Sequence, residues 1–233
     1  MTKIKTTATA LCILIASCIS LSTNAQKSDV GNWFIYLGNQ KINDKWNWHN
    51  EVQYRNFDFA GDLEQLLLRT GIGYNLTERN NNVLLGYSFI NSEPYISGTR
   101  DKKNINEQRV YQQFLTKQTF NRVNVTHRYR VEERFIEDDF KLRFRYFISL
   151  NIPINKREMT KNAIYFSAYN ELFINSRSAV FDRNRIYSAL GFCISKDLKV
   201  EAGAMSQIFE NKNRTQFQIA FFNSLPFQKQ ENK

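Results

Sequence analysis

The sequence is poor in residues that staple, coordinate or interrupt a chain. It has three cysteines, three prolines and two histidines. Cys12 and Cys18 fall in an apolar leader, so Cys193 stands alone in the rest of the chain, which excludes an internal disulfide and a cysteine-based metal centre. His49 and His127 lie far apart and do not make a ligand set, so no metal and no cofactor is expected. None of the nine glycines sits in a phosphate-cradling loop; Gly71, Gly73 and Gly86 read instead as strand glycines at close approaches or bends. No Pro/Gly/Ser linker divides residues 26–233, which therefore read as one domain. Beyond the leader there is no apolar run of about 18 residues, so helical membrane spans are excluded.

The leader is a signal for secretion. Lys3 and Lys5 are followed by the apolar or small stretch Ala8 to Leu21, and Thr23-Asn24-Ala25 offers small residues for cleavage before Gln26. Residues 1–25 are thus expected to be a signal peptide. One alternative is a membrane anchor, for which a run of about 14 residues is short against the ~20 a helix needs. Another is a lipoprotein signal, because Ile15-Ala16-Ser17-Cys18 resembles a lipobox. Loss of Lys3 and Lys5 with the leader lowers the formal charge from +10 to +8. Arginines alternate with acids throughout, with no basic block, so nucleic acid is not an expected partner.

What the chain has in abundance is alternation. Trp46, Trp48, Val52 and Tyr54 point one way and Asn47, His49, Glu51, Gln53 and Arg55 the other. Leu66, Leu68, Ile72 and Tyr74 oppose Gln65, Arg69, Gly71 and Gly73. Val123, Val125, Tyr129, Val131 and Phe135 oppose Asn124, Thr126, Arg128, Arg130, Glu132 and Arg134, and the next segment sets Leu142, Phe144 and Tyr146 against Arg143 and Arg145. The pattern recurs around Glu171, around Arg183 and Arg185, and at Phe217, Ile219 and Phe221. Such segments exceed the ~5–6 residues of ordinary strands and match the ~9–11 of a tilted membrane-spanning strand. In hydrocarbon every backbone polar group must be paired, so strands span only as a closed barrel, with apolar residues facing lipid and charges facing the lumen.

Eleven candidate strands begin near residues 33, 46, 64, 82, 106, 121, 140, 162, 182, 198 and 214. Short turns near 43–45, 77–81, 119–120, 153–161 and 195–197 alternate with connections at 58–62, 91–105, 136–139, 176–182 and 210–213, of which 91–105 reads as a long external loop. Single-chain bacterial barrels have even strand numbers. The expectation is therefore an all-β, closed antiparallel transmembrane β-barrel of twelve strands, with ten next and a polar, Arg-rich lumen. His127 and Glu133 fall on its outward face and strain that reading. A soluble sandwich, or a lipocalin-like binding barrel with an apolar interior, shares the alternation.

The segment Arg128-Tyr129-Arg130-Val131-Glu132-Glu133-Arg134-Phe135, with Arg143-Phe144-Arg145-Tyr146, resembles the central signature of the bacterial family catalogued as domain of unknown function 2490. Tyr169 to Asn175, Asn184 to Phe192 and Gly203 to Gln207 are similar to its later blocks. The resemblance runs from about Trp33 to Phe227. It implies an outer-membrane barrel, common in Bacteroidetes-like bacteria, with no assigned activity. Outer-membrane lipid and the barrel-assembly machinery are then the expected partners. That machinery commonly reads a terminal strand ending in an aromatic residue; Phe227 would serve, although Gln228 to Lys233 follow it.

The candidate site is the inward ladder of Arg128, Arg130, Glu132, Arg134, Arg143, Arg145, Glu171, Arg183 and Arg185. It reads either as a structural network filling a narrow lumen or as a basic constriction passing a small anionic solute, in the manner of a porin. A lipid-modifying enzyme is the other class. His49 and Glu51 share a face and could form a base–orienter pair, but no serine sits in a nucleophile motif, which points away from catalysis.

Overall fold

The structure, a computed structural model, describes residues 30–77, 80–177 and 179–227. The expected signal peptide at 1–25 and the Cys18 lipobox lie outside the described residues. The elements are β1 (Gly31–Lys41), β2 (Trp46–Asn56), β3 (Leu63–Asn75), β4 (Asn81–Ser92), β5 (Ile105–Phe120), β6 (Val123–Ile136), β7 (Asp139–Pro153), β8 (Ile164–Asn175), β9 (Phe181–Cys193), β10 (Leu198–Ile208) and β11 (Asn213–Asn223). Each strand pairs with its sequence neighbours, and β1 pairs with β11 to close the barrel.

Eleven strands among the described residues replace the twelve, or ten, that parity suggested. Parity is a habit of bacterial barrels; hydrogen bonding asks only that no edge be left unpaired. The edges here meet in a parallel ladder that runs from Gly31 opposite Gln216 to Gly38 opposite Asn223. The sheet is therefore mixed, not wholly antiparallel. A second correction concerns the last strand: β11 ends at Asn223, so Phe227 lies beyond it and stacks on Trp48 at 5.5 Å between ring centroids.

Facing follows the period of two. Val52, Leu68, Ile72, Leu85, Tyr129, Phe144, Ile164, Ile186, Leu190 and Phe217 are exposed on the outer wall, while Glu51, Arg69, Glu132, Arg143, Arg145 and Glu171 are buried inside it. The interior is not purely polar, however. Trp33, Leu67, Ile90, Tyr111, Tyr165, Phe173, Tyr187 and Met205 are buried there too. On the outer face His127 Nδ1 lies 2.9 Å from Tyr146 Oη, and Glu133 accepts a hydrogen bond from Gln112 Nε2 at 3.3 Å, so each polar group has a neighbour on its own wall. Register shifts follow Arg55 in β2 and Phe173 in β8, two residues that reappear in the interior site.

Two inward glycines make room for aromatic rings. Gly86 stands opposite Tyr111 and Gly191 opposite Tyr165 in the ladder. A Cβ at either position would run into the facing phenol ring. Both tyrosines are fully buried, their rings occupying the space a Cβ would need. Replacing Gly86 by Val is expected to destabilise the barrel by about 1–3 kcal/mol, the range for overpacking a filled interior. Urea unfolding reads the loss, and adding Tyr111→Ala to the same chain should recover part of it. An unchanged midpoint in Gly86→Val would contradict this packing.

Candidate functional site

Strand register assembles the interior charges. It sets Glu132 of β6 opposite Arg143 of β7, and Arg130 opposite Arg145. It also sets Glu171 of β8 opposite Arg185 of β9, and Glu51 of β2 opposite Arg69 of β3. Directly opposed side chains lie about 4.5–5.5 Å apart at Cβ, close enough for ion pairing.

Glu132 is the hub. It is wholly buried, and its Oε2 accepts from Arg143 Nη2 at 2.6 Å and Nε at 3.1 Å, while Oε1 accepts from Arg145 Nη1 at 2.5 Å. Arg130 and Arg109 approach the same carboxylate at 3.5 and 3.8 Å. Arg145 also reaches Glu171 Oε1 through Nη2 at 2.6 Å, and Arg128 Nη2 reaches that oxygen at the same distance. Arg145 thus ties the two glutamates into one network. Charge-assisted bonds of this kind are short, and the fork of the guanidinium suits a carboxylate.

Not every member of the ladder joins that centre. Arg134 turns to Glu107, 2.5 Å away, where Arg109 also binds at 2.6 Å. Arg183 pairs with Asp182 at 3.1 Å and lies over the Phe209 ring, toward the barrel end. His49 Nε2 lies 3.5 Å from Glu51 Oε2 without making a hydrogen bond, and that carboxylate is already held by Arg69 at 2.5 Å and by Gln53. His49 Nε2 makes no hydrogen bond among the described residues, and so none to a nucleophile of the kind a base–orienter pair serves. Among the described residues no three His, Cys, Asp or Glu side chains converge as a metal site.

The ladder read from sequence omitted half of its neighbours. Glu107 and Arg109 lie on β5, where outward Gln108 and Gln112 blur the alternation. Arg55 and Arg69 sit on inward faces that the alternation shows, but nothing in the sequence groups them with β6. The aromatic plates were also missed. The Phe173 ring centroid lies 4.5, 4.7 and 5.2 Å from the Cζ atoms of Arg145, Arg185 and Arg143, and Trp33 lies 3.7 and 4.9 Å from those of Arg55 and Arg185. Each cation–π contact of this kind is worth ~0.5–2 kcal/mol, more when desolvated. Each plate therefore attracts more than one guanidinium. Inside this framework is a cavity of about 390 Å³, lined from Gln65, Ser92 and Ile105 near one mouth to Leu37, Asn151 and Phe222 toward the other.

One connection folds onto the rim. Lys102, from the segment between β4 and β5, places Nζ 2.5 Å from Asp62 Oδ1 and donates to the Leu63 carbonyl at 2.6 Å. Tyr95 Oη donates to Asp62 Oδ2 at 2.7 Å, and its ring packs 5.0 Å from Phe57. The hydrogen bond to Asp62 raises the Tyr95 hydroxyl above its usual 10.0. Burial pulls the Lys102 ammonium down, but the bond and charge of Asp62 outweigh it and hold the group above 10.5.

A closed all-β barrel with an ion-paired interior is the class this geometry defines. Within that class, the chain belongs to the family described as Protein of unknown function (DUF2490), whose model matches residues 30–218. No curated protein and no solved structure matches the chain.

Two expectations follow from these contacts. Glu132→Gln leaves Arg143 and Arg145 short of a buried counter-charge, which costs about 3–5 kcal/mol when one partner of a buried pair is removed. Denaturant titration of the detergent-folded protein measures it, and a loss under about 1 kcal/mol would mean the hub is not the principal tie. The second concerns the rim clasp. Both raised groups contribute stability below their ordinary values of 10.0 and 10.5, and lose it as pH climbs through the higher folded-state values. Proteolysis of the segment 96–101 should stay slow at neutral pH and accelerate only in strongly alkaline buffer. Acceleration near neutrality would show that the clasp does not hold the loop.

Proposed function

We propose that the chain spans a bacterial outer membrane as a narrow barrel whose filled, arginine-rich lumen makes the wall structural. The observation that carries this reading is the partition between an exposed apolar outer wall and a buried network of paired charge. A soluble lipocalin-like barrel needs the reverse, with apolar side chains around an internal ligand and polar ones in water. Strand length supports the membrane setting. Eleven residues, the length of β1, β2, β10 and β11, at ~3.3 Å each and tilted by ~45°, cover about 25 Å along the barrel axis, the height of the apolar band in outer-membrane barrels.

Outer-membrane lipid is then the partner of the wall. The assembly machinery would read β11, whose outward Phe217, Ile219 and Phe221 precede Phe227. The interior supports a structural role over a wide pore, because Glu132, Tyr111, Tyr165 and Phe173 are almost wholly buried and the cavity left inside is only about 390 Å³. A second reading, passage of a small anion, draws on the elongated cavity and on the seven buried arginines that face five buried glutamates among the described residues. A lipid-modifying activity would need a nucleophile beside His49, whose Nε2 makes no hydrogen bond among the described residues.

The protein lacking residues 1–25 should need detergent or lipid to fold, and should insert into vesicles with its strands protected from protease. In planar bilayers it should give no wide ohmic channel. A monodisperse, detergent-free protein would defeat the membrane reading. Large, weakly selective conductance would defeat the filled lumen.

A further inference from the structure

One corner of the interior holds two guanidiniums whose hydrogen-bond acceptors are neutral amides. Arg55 donates from Nε to Gln53 Oε1 at 2.9 Å and from Nη1 to Gln65 Oε1 at 2.6 Å, and both acceptors are neutral amides. Arg185 donates from Nε to Gln207 Oε1 at 2.9 Å, again a neutral acceptor. The nearest carboxylate oxygen to Arg185, Glu171 Oε2, stands 3.8 Å from Nη1, and Glu171 is already bonded by Arg128 and Arg145. Glu64, at the same end, is held by Arg214 at 2.5 Å, and its other oxygen, Oε2, is buried without a hydrogen-bond partner; it makes no ion pair with Arg55. Both guanidiniums lie over one indole, that of Trp33, whose Nε1 is buried and has no acceptor. Arg55 and Arg185 are 9% and 7% exposed, and with Trp33, Gln53 and Gln65 they line the 390 Å³ cavity.

Two buried cations beside each other, with amides for neighbours, are an arrangement whose cost falls when a negative group enters between them. An entering oxygen would compete with the neutral amides of Gln53 and Gln65, to which Arg55 donates from Nε, Nη1 and Nη2, and would meet Nη1 and Nη2 of Arg185, which make no hydrogen bond among the described residues. A guanidinium edge matches the paired oxygens of a carboxylate or phosphate better than a spherical halide. The volume stands at the lower end of the ~300–1,000 Å³ of ligand pockets, which limits the occupant to a small molecule.

We infer that the Arg55–Trp33–Arg185 corner of the lumen is a binding site for a small oxyanion, a free phosphate or carboxylate group held between the two guanidiniums. The inference deepens the reading of the interior as a filled lumen and rests on it, but it does not depend on insertion into a membrane. It also separates two classes of interior arginine. Arg143 and Arg145 are compensated by Glu132 and Glu171, whereas Arg55 and Arg185 await an anion.

The test uses the detergent-folded protein with inorganic phosphate and acetate as probes, against sodium chloride at matched ionic strength. Phosphate or acetate should raise the unfolding midpoint saturably and titrate as one site by calorimetry, with chloride far weaker. Arg55→Gln and Arg185→Gln should each weaken binding at least tenfold, while Lys141→Gln, at the exposed β7 rim, should bind like the parent. Unliganded Arg185→Gln should unfold no earlier than the parent, the opposite sign to Glu132→Gln, because a like-charge contact is relieved. Arg185→Lys keeps the charge and loses the fork, so it should bind with intermediate strength if folding limits the Gln variant. No saturable effect in the parent, or equal binding in all variants, would overturn the site. Phosphate binding by a protein that refuses vesicles would remove only the membrane reading, and vesicle insertion without oxyanion binding only this one.

Discussion

A charge withdrawn from water must find its opposite within a few ångströms, and the interior of this barrel is organised by that requirement. Glu132 cannot be both fully buried and ionised unless guanidiniums surround it, and Arg143 and Arg145 do so from the neighbouring strand. Because Arg145 is shared with Glu171, β6, β7 and β8 are locked in one register by side chains as well as by the backbone ladder. A one-residue slip would turn every member of the network outward. Aromatic plates complete the arrangement: Phe173 lies against the guanidiniums of Arg143, Arg145 and Arg185 and Trp33 against those of Arg55 and Arg185, and the glycines opposite Tyr111 and Tyr165 leave room for further rings.

The same physics decides what is legible in the amino-acid sequence. Facing was readable, because a period of two leaves Arg, Glu and Gln on one side and Leu, Ile and Phe on the other, and the starts of the strands follow from where that period breaks. The strand number was misjudged by the appeal to parity, since a parallel seam between first and last strands leaves no signature in a local window. The aromatic half of the interior was hidden for a related reason. Trp33, Tyr111 and Phe173 have the composition of lipid-facing residues, and only their place in the alternation sets them inside. As for the candidate site, β6 and β7 announce themselves through dense arginine, but the partners Glu107, Arg109, Arg55 and Arg69 are brought in by register across other strands, which no spacing along the chain expresses.

Filling and function pull against each other in such an interior. A lumen that passes solute needs charges exposed to water, where each interaction is weak. A lumen that stabilises the wall needs them dry, where each is strong. The strong regime prevails around Glu132 and Glu171. It relaxes toward Arg55 and Arg185, where neutral amides replace carboxylates as hydrogen-bond acceptors. The proposed membrane setting and the proposed oxyanion site therefore draw on different parts of one wall, its greasy exterior and its under-neutralised corner.

The seam carries a temporal meaning as well. Ten of the eleven ladders join strands adjacent in the chain, and each can form as a hairpin at small entropic expense; the ladder between β1 and β11 unites the two extremities of the described chain. That union has the greatest sequence separation of any contact in the wall, so it is the natural last event of folding. Until it occurs, Trp33 on one edge and Gln216 and Gln218 on the other face no partner, and an open, curling sheet precedes the finished cylinder.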